Sequence, residues 1–261
     1  MIKNIICKAD LPEPWQKFSY DEILSRPGGE LVNDGRASRV FRFIDGKNVF
    51  YLKRYIYHKI HWQYCWQKSQ VKREFENLEK IKQTKLGCDT VEIIAYGEER
   101  RFRTIASAFL LSREVRNGER LSLFLSTKPN HPQRKPVIEK IIALAESIVM
   151  QKIAITDYFF RNIVVVPQEA KLFLLDIQHC NKNQRWALKK SYPQLWSNIL
   201  LFFSPEEQEF AAQKLLPLFP YHRNELDILA QQFVPKEKKR KLSEITLATK
   251  GYPKVNAEEY F

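Results

Sequence analysis

Around Arg116-Asn117-Gly118-Glu119-Arg120 the chain changes its hydrophobic period, and this change limits the possible folds more than any other feature. Ahead of the break, apolar residues alternate or cluster in short runs, the period of strands. Behind it they recur every three or four residues, the period of helices. Strands first and helices second make an α+β protein with the two kinds segregated. The chain has 261 residues, 44% of them hydrophobic, enough for two lobes with real cores.

Residues 1–26 read as a lead-in with one short helix. From Gly28 to Tyr55 three strands are expected, joined by turns at Asp34-Gly35 and Asp45-Gly46, the second a hairpin whose turn positions favour positive φ. "KSQVKREFENLEKIKQT" places Val71, Phe75, Leu78 and Ile81 at helical spacing with no Gly or Pro inside. "TVEIIAYGEERR" and "TIASAFLLSREV" then read as two more strands, for a five-stranded sheet carrying one helix. Behind the break, "RLSLFLST", "KPVIEKIIALAESIVMQK", "WALKKSYPQLWSNILLFF" and "SPEEQEFAAQKLLPLF" are helices, interrupted by the strand pair "NIVVVP" and "KLFLLD". Ser204 with Glu207 three residues on is a capping box, and Pro205 suits the first helical position. Beyond Pro235 the run "KEKKRK" reads as a solvated, partly mobile basic tail.

Within this frame five polar residues stand in the order that phosphoryl transfer from ATP requires. Lys53 lies in the strand segment "FYLKRY", where Phe50 and Leu52 anchor the strand and the ammonium is left for the nucleotide phosphates. Glu74 follows on the amphipathic helix, able to pair with that Lys. Asp157 and Asn162 have the D-x-x-x-x-N spacing of a catalytic loop between a long helix and a strand. There the Asp accepts a hydroxyl proton and the Asn supplies a metal ligand. Asp176 closes the hairpin formed by the two short apolar runs, which returns it beside Asn162, and its carboxylate suits Mg²⁺. Each residue alone reads as a solvated polar group or a loop cap; the joint order does not.

These segments, from about Gly28 to Phe203, resemble the bacterial lipopolysaccharide kinase (Kdo/WaaP) family, the heptose and Kdo kinases of the lipopolysaccharide core. "FYLKRY" resembles its strand-Lys segment and "VKREFENLEKI" its R-E helix. "AYGEERR" resembles a strand end with a YGE-like turn, and "FLLSREV" the hinge approach. "TDYFFRNIVVV" and "LFLLDIQ" resemble the catalytic loop and metal strand. The resemblance implies a protein-kinase-like bilobal fold: a small β-rich N-lobe with one helix over residues 1–115, a larger α-helical C-lobe over 116–234, and a basic tail over 235–261. It also implies ATP-dependent phosphorylation of a core sugar hydroxyl. Lys53 then contacts the ATP phosphates and Glu74 orients it, Asp157 is the catalytic base, and Asn162 and Asp176 hold Mg²⁺. Gly35 and Ser38, with Arg36 and backbone amides, hold phosphates in place of a fuller glycine-rich loop. The backbone from Glu114 to Arg116 receives the adenine. Ile155 stands where the family has His, as apolar packing. Asp176 is followed by Ile177 and Gln178 instead of Phe-Gly, so no activation-loop switch is expected.

The formal net charge of +13 calls for an anionic partner. From Lys53 to Arg73 there are six Lys or Arg and no acid, and from Phe50 to Trp66 seven aromatics, a composition that suits an anionic membrane interface. The expected partners are therefore the lipid A-core acceptor and the anionic inner-membrane surface, with no nucleic acid. No apolar run is long enough to span a bilayer and the first residues lack a signal-peptide core, so a cytoplasmic protein peripheral to the inner membrane is expected. The four Cys and five His are scattered, which favours reduced thiols and no preformed transition-metal site. Three rival readings remain. A nucleic-acid binder explains the charge but not the five ordered residues. A pseudokinase is motivated by Ile155. A small-molecule kinase for cationic acceptors requires an acidic site in a strongly basic chain.

Overall fold

The structure is a computed structural model that describes residues 2–7, 11, 15–35, 38–57, 65–182 and 185–250. Two compact units emerge, one from residues up to 75 with 91–114, the other from 76–90 with 115–249. In chain order the elements begin with β1 (Ile2–Cys7), α1 (Tyr20–Ser25), β2 (Glu30–Asp34), β3 (Arg39–Asp45), β4 (Asn48–Ile56), α2 (Gln70–Lys82), β5 (Asp89–Thr90), β6 (Ile93–Arg101) and β7 (Thr104–Arg113). They continue with β8 (Glu119–Arg120), α3 (Leu121–Thr127), α4 (Arg134–Met150), β9 (Ile153–Thr156), β10 (Ile163–Val166), β11 (Lys171–Leu174) and β12 (His179–Lys182). Four helices follow, α5 (Arg185–Phe202), α6 (Pro205–Leu215), α7 (Arg223–Gln231) and α8 (Val234–Lys250).

The first unit is an antiparallel sheet in the order β1-β6-β7-β4-β3-β2. It has six strands, not five, because Ile2–Cys7 pairs along β6 from Ile2↔Arg100 to Cys7↔Ala95. Lys3 and Asn4 interrupt the apolar alternation of β1, which hides an edge strand from pattern reading. The β3–β4 hairpin forms as expected, but its turn residues are Gly46 and Lys47, with Asp45 still paired to Asn48. Of these only Gly46 has positive φ, 59°, the arrangement of a turn with Gly at its first central position. Tyr96-Gly97-Glu98 lies inside β6 and is not a turn. A Cβ on Gly97 would come within 2.5 Å of the Phe109 ring, so the close approach of this aromatic requires glycine.

Trp15, Phe41, Phe43, Phe50, Leu52 and Phe109 form the centre of this unit's core. The Trp15 ring meets Phe43 and Phe50 edge-on at 5.5 and 5.8 Å. Ser19 and Glu22 close a capping box at the start of α1, which presents Tyr20 and Ile23 to the same core.

In the second unit α4 buries Val137, Ile141, Leu144, Ala145 and Ile148 along one face, the i, i+4, i+7, i+8, i+11 stripe that its sequence sets. A small sheet orders β5-β11-β10-β8, and β9 pairs with β12. The capping box of α6 forms with Ser204 and Glu207. Glu207 also takes Arg134 through two bonds of 2.8 and 2.9 Å, while Arg134 donates to the carbonyls of Leu125 and Phe202. The expectation of a solvated, partly mobile tail from Pro235 is corrected: Val234–Lys250 is helical, and Glu237 near its start is buried. Among the described residues Cys65 and Cys88 are free thiols, and no helix is long and apolar enough to cross a membrane.

Candidate active site

The sequence-derived residues fall into two groups, one in each unit. In the first unit, strand alternation buries Phe50 and Leu52 and leaves Lys53 on the opposite face of β4. Its Nζ donates to Glu74 Oε2 at 2.9 Å, and the two side chains are 13% and 4% exposed. Tyr55, two residues on along the same face, donates its hydroxyl to the same Glu74 oxygen at 3.0 Å. The Lys53 ammonium also lies 5.2 Å from the Tyr55 ring centroid. A buried carboxylate holding both a Lys and a Tyr fixes the ammonium in one place.

Gly35 and Ser38 close the β2–β3 hairpin, the Gly35 amide donating to Ser38 O at 3.0 Å. That amide is thus committed within the turn; Arg36, assigned to phosphates above, lies outside the described residues. Glu114 is committed too. Its amide donates to Val49 O at 2.9 Å, and its carboxylate accepts from the Tyr51 hydroxyl at 3.0 Å and faces Arg42 at 3.5 Å. Burial, and then the Glu114 charge, push the Tyr51 pKa up to about 12. The Glu114 amide is therefore committed within the sheet. Arg116 is exposed.

In the second unit Asp157 follows β9 directly and adopts a left-handed backbone, φ 63°. Its carbonyl accepts the Phe159 amide at 2.8 Å and the Asn162 side-chain amide at 2.9 Å. The Leu175 amide donates to Asn162 O at 3.0 Å, so Asp176 stands one residue beyond a bond to Asn162. Asp176 is also left-handed, φ 54°, and Gln178 Nε2 donates to its Oδ1 at 3.1 Å. Asp157, Asn162 and Asp176 are thereby brought into one site. Asp tolerates the left-handed conformation better than most residues.

This donor set fits Mg²⁺. With Nδ2 of Asn162 committed to Asp157, its Oδ1 is the atom left for a cation, and with Asp176 it offers oxygens only. No group of three or more His, Cys, Asp or Glu poised for a metal occurs among the described residues.

Ile155 is fully buried in β9 opposite Cys180, and Ser191 Oγ donates to its carbonyl at 2.8 Å. The loop is held further by residues that the sequence reading did not single out. Gln194 Oε1 accepts the Asp157 amide and Asn198 Oδ1 the Phe160 amide, both at 3.0 Å. Ser191, Gln194 and Asn198 lie at i, i+3 and i+7 of α5, one buried face gripping the loop backbone. Their helical spacing was the available signal. Phe160 packs against Phe202 and Phe203 with ring centroids 5.7 and 5.9 Å away. Arg161 pairs with the buried Glu237 of α8.

Two surface depressions, about 400 Å³ beside Phe18, Glu22 and Arg26 and about 300 Å³ beside Cys88, Asp89 and Lys140, are lined by none of the site residues. Of the basic, aromatic segment 54–73, residues 58–64 lie outside the described residues; Trp66 is 84% exposed.

No protein-family model matches the chain, and no curated protein matches its sequence. Solved structures do match. A structure of WaaP in complex with acyl carrier protein aligns at TM-score 0.55 and 14% identity, covering 92% of this chain and 98% of that one. The chain has the fold of WaaP. This is the protein-kinase-like fold, with its antiparallel sheet N-terminal and its helices C-terminal. A structure of WbdD with the kinase inhibitor LY294002 aligns at TM-score 0.45 and 17% identity, over 76% of this chain and 44% of that one.

Proposed function

We propose that the chain is an ATP- and Mg²⁺-dependent phosphotransferase that phosphorylates a heptose or Kdo hydroxyl of the lipopolysaccharide inner core. The reading places it at the cytoplasmic face of the inner membrane, with the basic surface toward anionic lipid. The observation that carries it is the Asn162 bond to the Asp157 carbonyl, which gathers a carboxylate base and two oxygen ligands from a D-x-x-x-x-N loop and the following hairpin. The Lys53–Glu74 pair supports it independently, as a fixed cation for nucleotide phosphates. The likeness to WaaP, whose solved structure is in complex with acyl carrier protein, is compatible with a lipid-linked acceptor.

In this reading Asp157 accepts the proton of the attacking sugar hydroxyl. Asn162 and Asp176 orient their oxygens to the metal, and Gln194 and Asn198 keep the loop from relaxing. Mg²⁺, when bound, neutralises the phosphate charge that develops during transfer. Adenine is received by the backbone from Glu114 to Arg116, apart from the Glu114 amide that is committed to Val49.

Titration calorimetry with a Mg²⁺–ATP analogue tests the assignment. Asp176→Ala and Lys53→Met are each expected to weaken binding about tenfold or more relative to the unaltered chain. Equal affinities in all three proteins would refute it. A chain that binds the complex yet transfers no phosphate would instead be a pseudokinase.

A further inference from the structure

Arg161 places a cation next to Asn162 in sequence, in a site read above as holding a divalent metal. Its side chain is 18% exposed, and its guanidinium stacks on Phe159 at 4.1 Å. Phe159 in turn meets Phe233, at the entry to α8, with ring centroids 6.1 Å apart. Burial pulls the Arg161 pKa below its ordinary value and Arg240 adds to this, while the Glu237 and Asp157 carboxylates oppose it. Glu237, 5% exposed, is the carboxylate bonded to this guanidinium; its other oxygen takes Arg240, which is 40% exposed and screened by water.

We propose that Glu237 is a positioning residue of the active site: it anchors the Asp157–Asn162 loop to α8 through Arg161 and cancels the positive charge that Arg161 would otherwise impose on the metal ligands. The metal half of this proposal rests on the phosphotransferase reading; the anchoring half does not. It gives α8 a role that a basic tail would not have. Three further contacts hold α8 in register. Glu244, two turns on from Glu237, takes Arg120 and Ser122 at 3.0 and 2.6 Å, and Lys241 lies 4.7 Å over the Phe202 ring. Only one carboxylate of the helix, however, reaches the loop that carries Asp157.

The test uses the full chain with Glu237→Gln, which keeps size and polarity but removes the charge, and the double variant Arg161→Met/Glu237→Gln. Without ligand, amide exchange over residues 157–162 should rise about tenfold in Glu237→Gln while α4 and the first unit keep their protection. With Mn²⁺ and a non-hydrolysable ATP analogue, read by the resonance of free Mn²⁺, Glu237→Gln should bind metal about tenfold more weakly. The double variant, with neither charge left, should recover metal affinity to within about twofold. A residue needed only for packing gives no such recovery. Unchanged loop exchange in Glu237→Gln overturns the anchor. A double variant as weak as the single overturns the charge cancellation. If the unaltered chain binds no Mn²⁺–nucleotide, the phosphotransferase reading fails, and the exchange measurement alone decides for or against the anchor.

Discussion

Gly97 and Asn198 show how single side chains set the position of the chemistry. Gly97→Ala would drive a methyl to 2.5 Å from Phe109, a ring at the centre of the first core. Urea unfolding should show a loss of about 1–3 kcal/mol. Asn198→Ala strands the buried Phe160 amide, and the same measurement should give a loss of about 1–3 kcal/mol. Two contacts follow the order that the sequence shows, Lys53 with Glu74 and Asn162 with Asp157, because a strand followed by a helix and a D-x-x-x-x-N loop bring those pairs together locally. Gln194 and Asn198 were not legible in sequence, because a buried amide that holds a loop carries no motif and looks like any polar residue on a helix. Ile155 is buried, as is every residue of β9, so its apolar character follows from its place in the strand.

Elements differ in how far their patterns reveal them. The β6–β7 turn, Phe102-Arg103, has φ of 49° and 68°, left-handed at two residues that disfavour it, and leaves Phe102 95% exposed. Replacing the pair by Asn-Gly should stabilise the protein by about 1 kcal/mol, read as a higher urea midpoint at unchanged slope. Helix α8 escaped sequence reading for an electrostatic reason. Its inward face is marked by Glu237 and Glu244, which meet Arg161 and Arg120, and by few apolar residues, so apolar periodicity does not find it. Strand β1 escaped because an edge strand tolerates Lys and Asn, β5 because two residues are too short to show a period, and β12 because His179, Asn181 and Lys182 leave it a single apolar residue.

At the scale of the whole molecule, a net charge of +13 and a protein-kinase-like fold make separate demands, and the proposed reaction meets both. The charge predicts binding to anionic vesicles at about 0.05 M salt that is lost by about 0.5 M, as co-sedimentation would show. Retention at high salt would mean that apolar contacts, not charge, hold the protein to lipid. Phosphate transfer tests the account most directly. Incubated with Mg²⁺, γ-labelled ATP and dephosphorylated lipopolysaccharide core, the chain should label a core sugar, and Asp157→Ala should label none while melting as cooperatively as the unaltered protein. Undiminished labelling by Asp157→Ala would contradict the assignment of the base, and with it the account of the site.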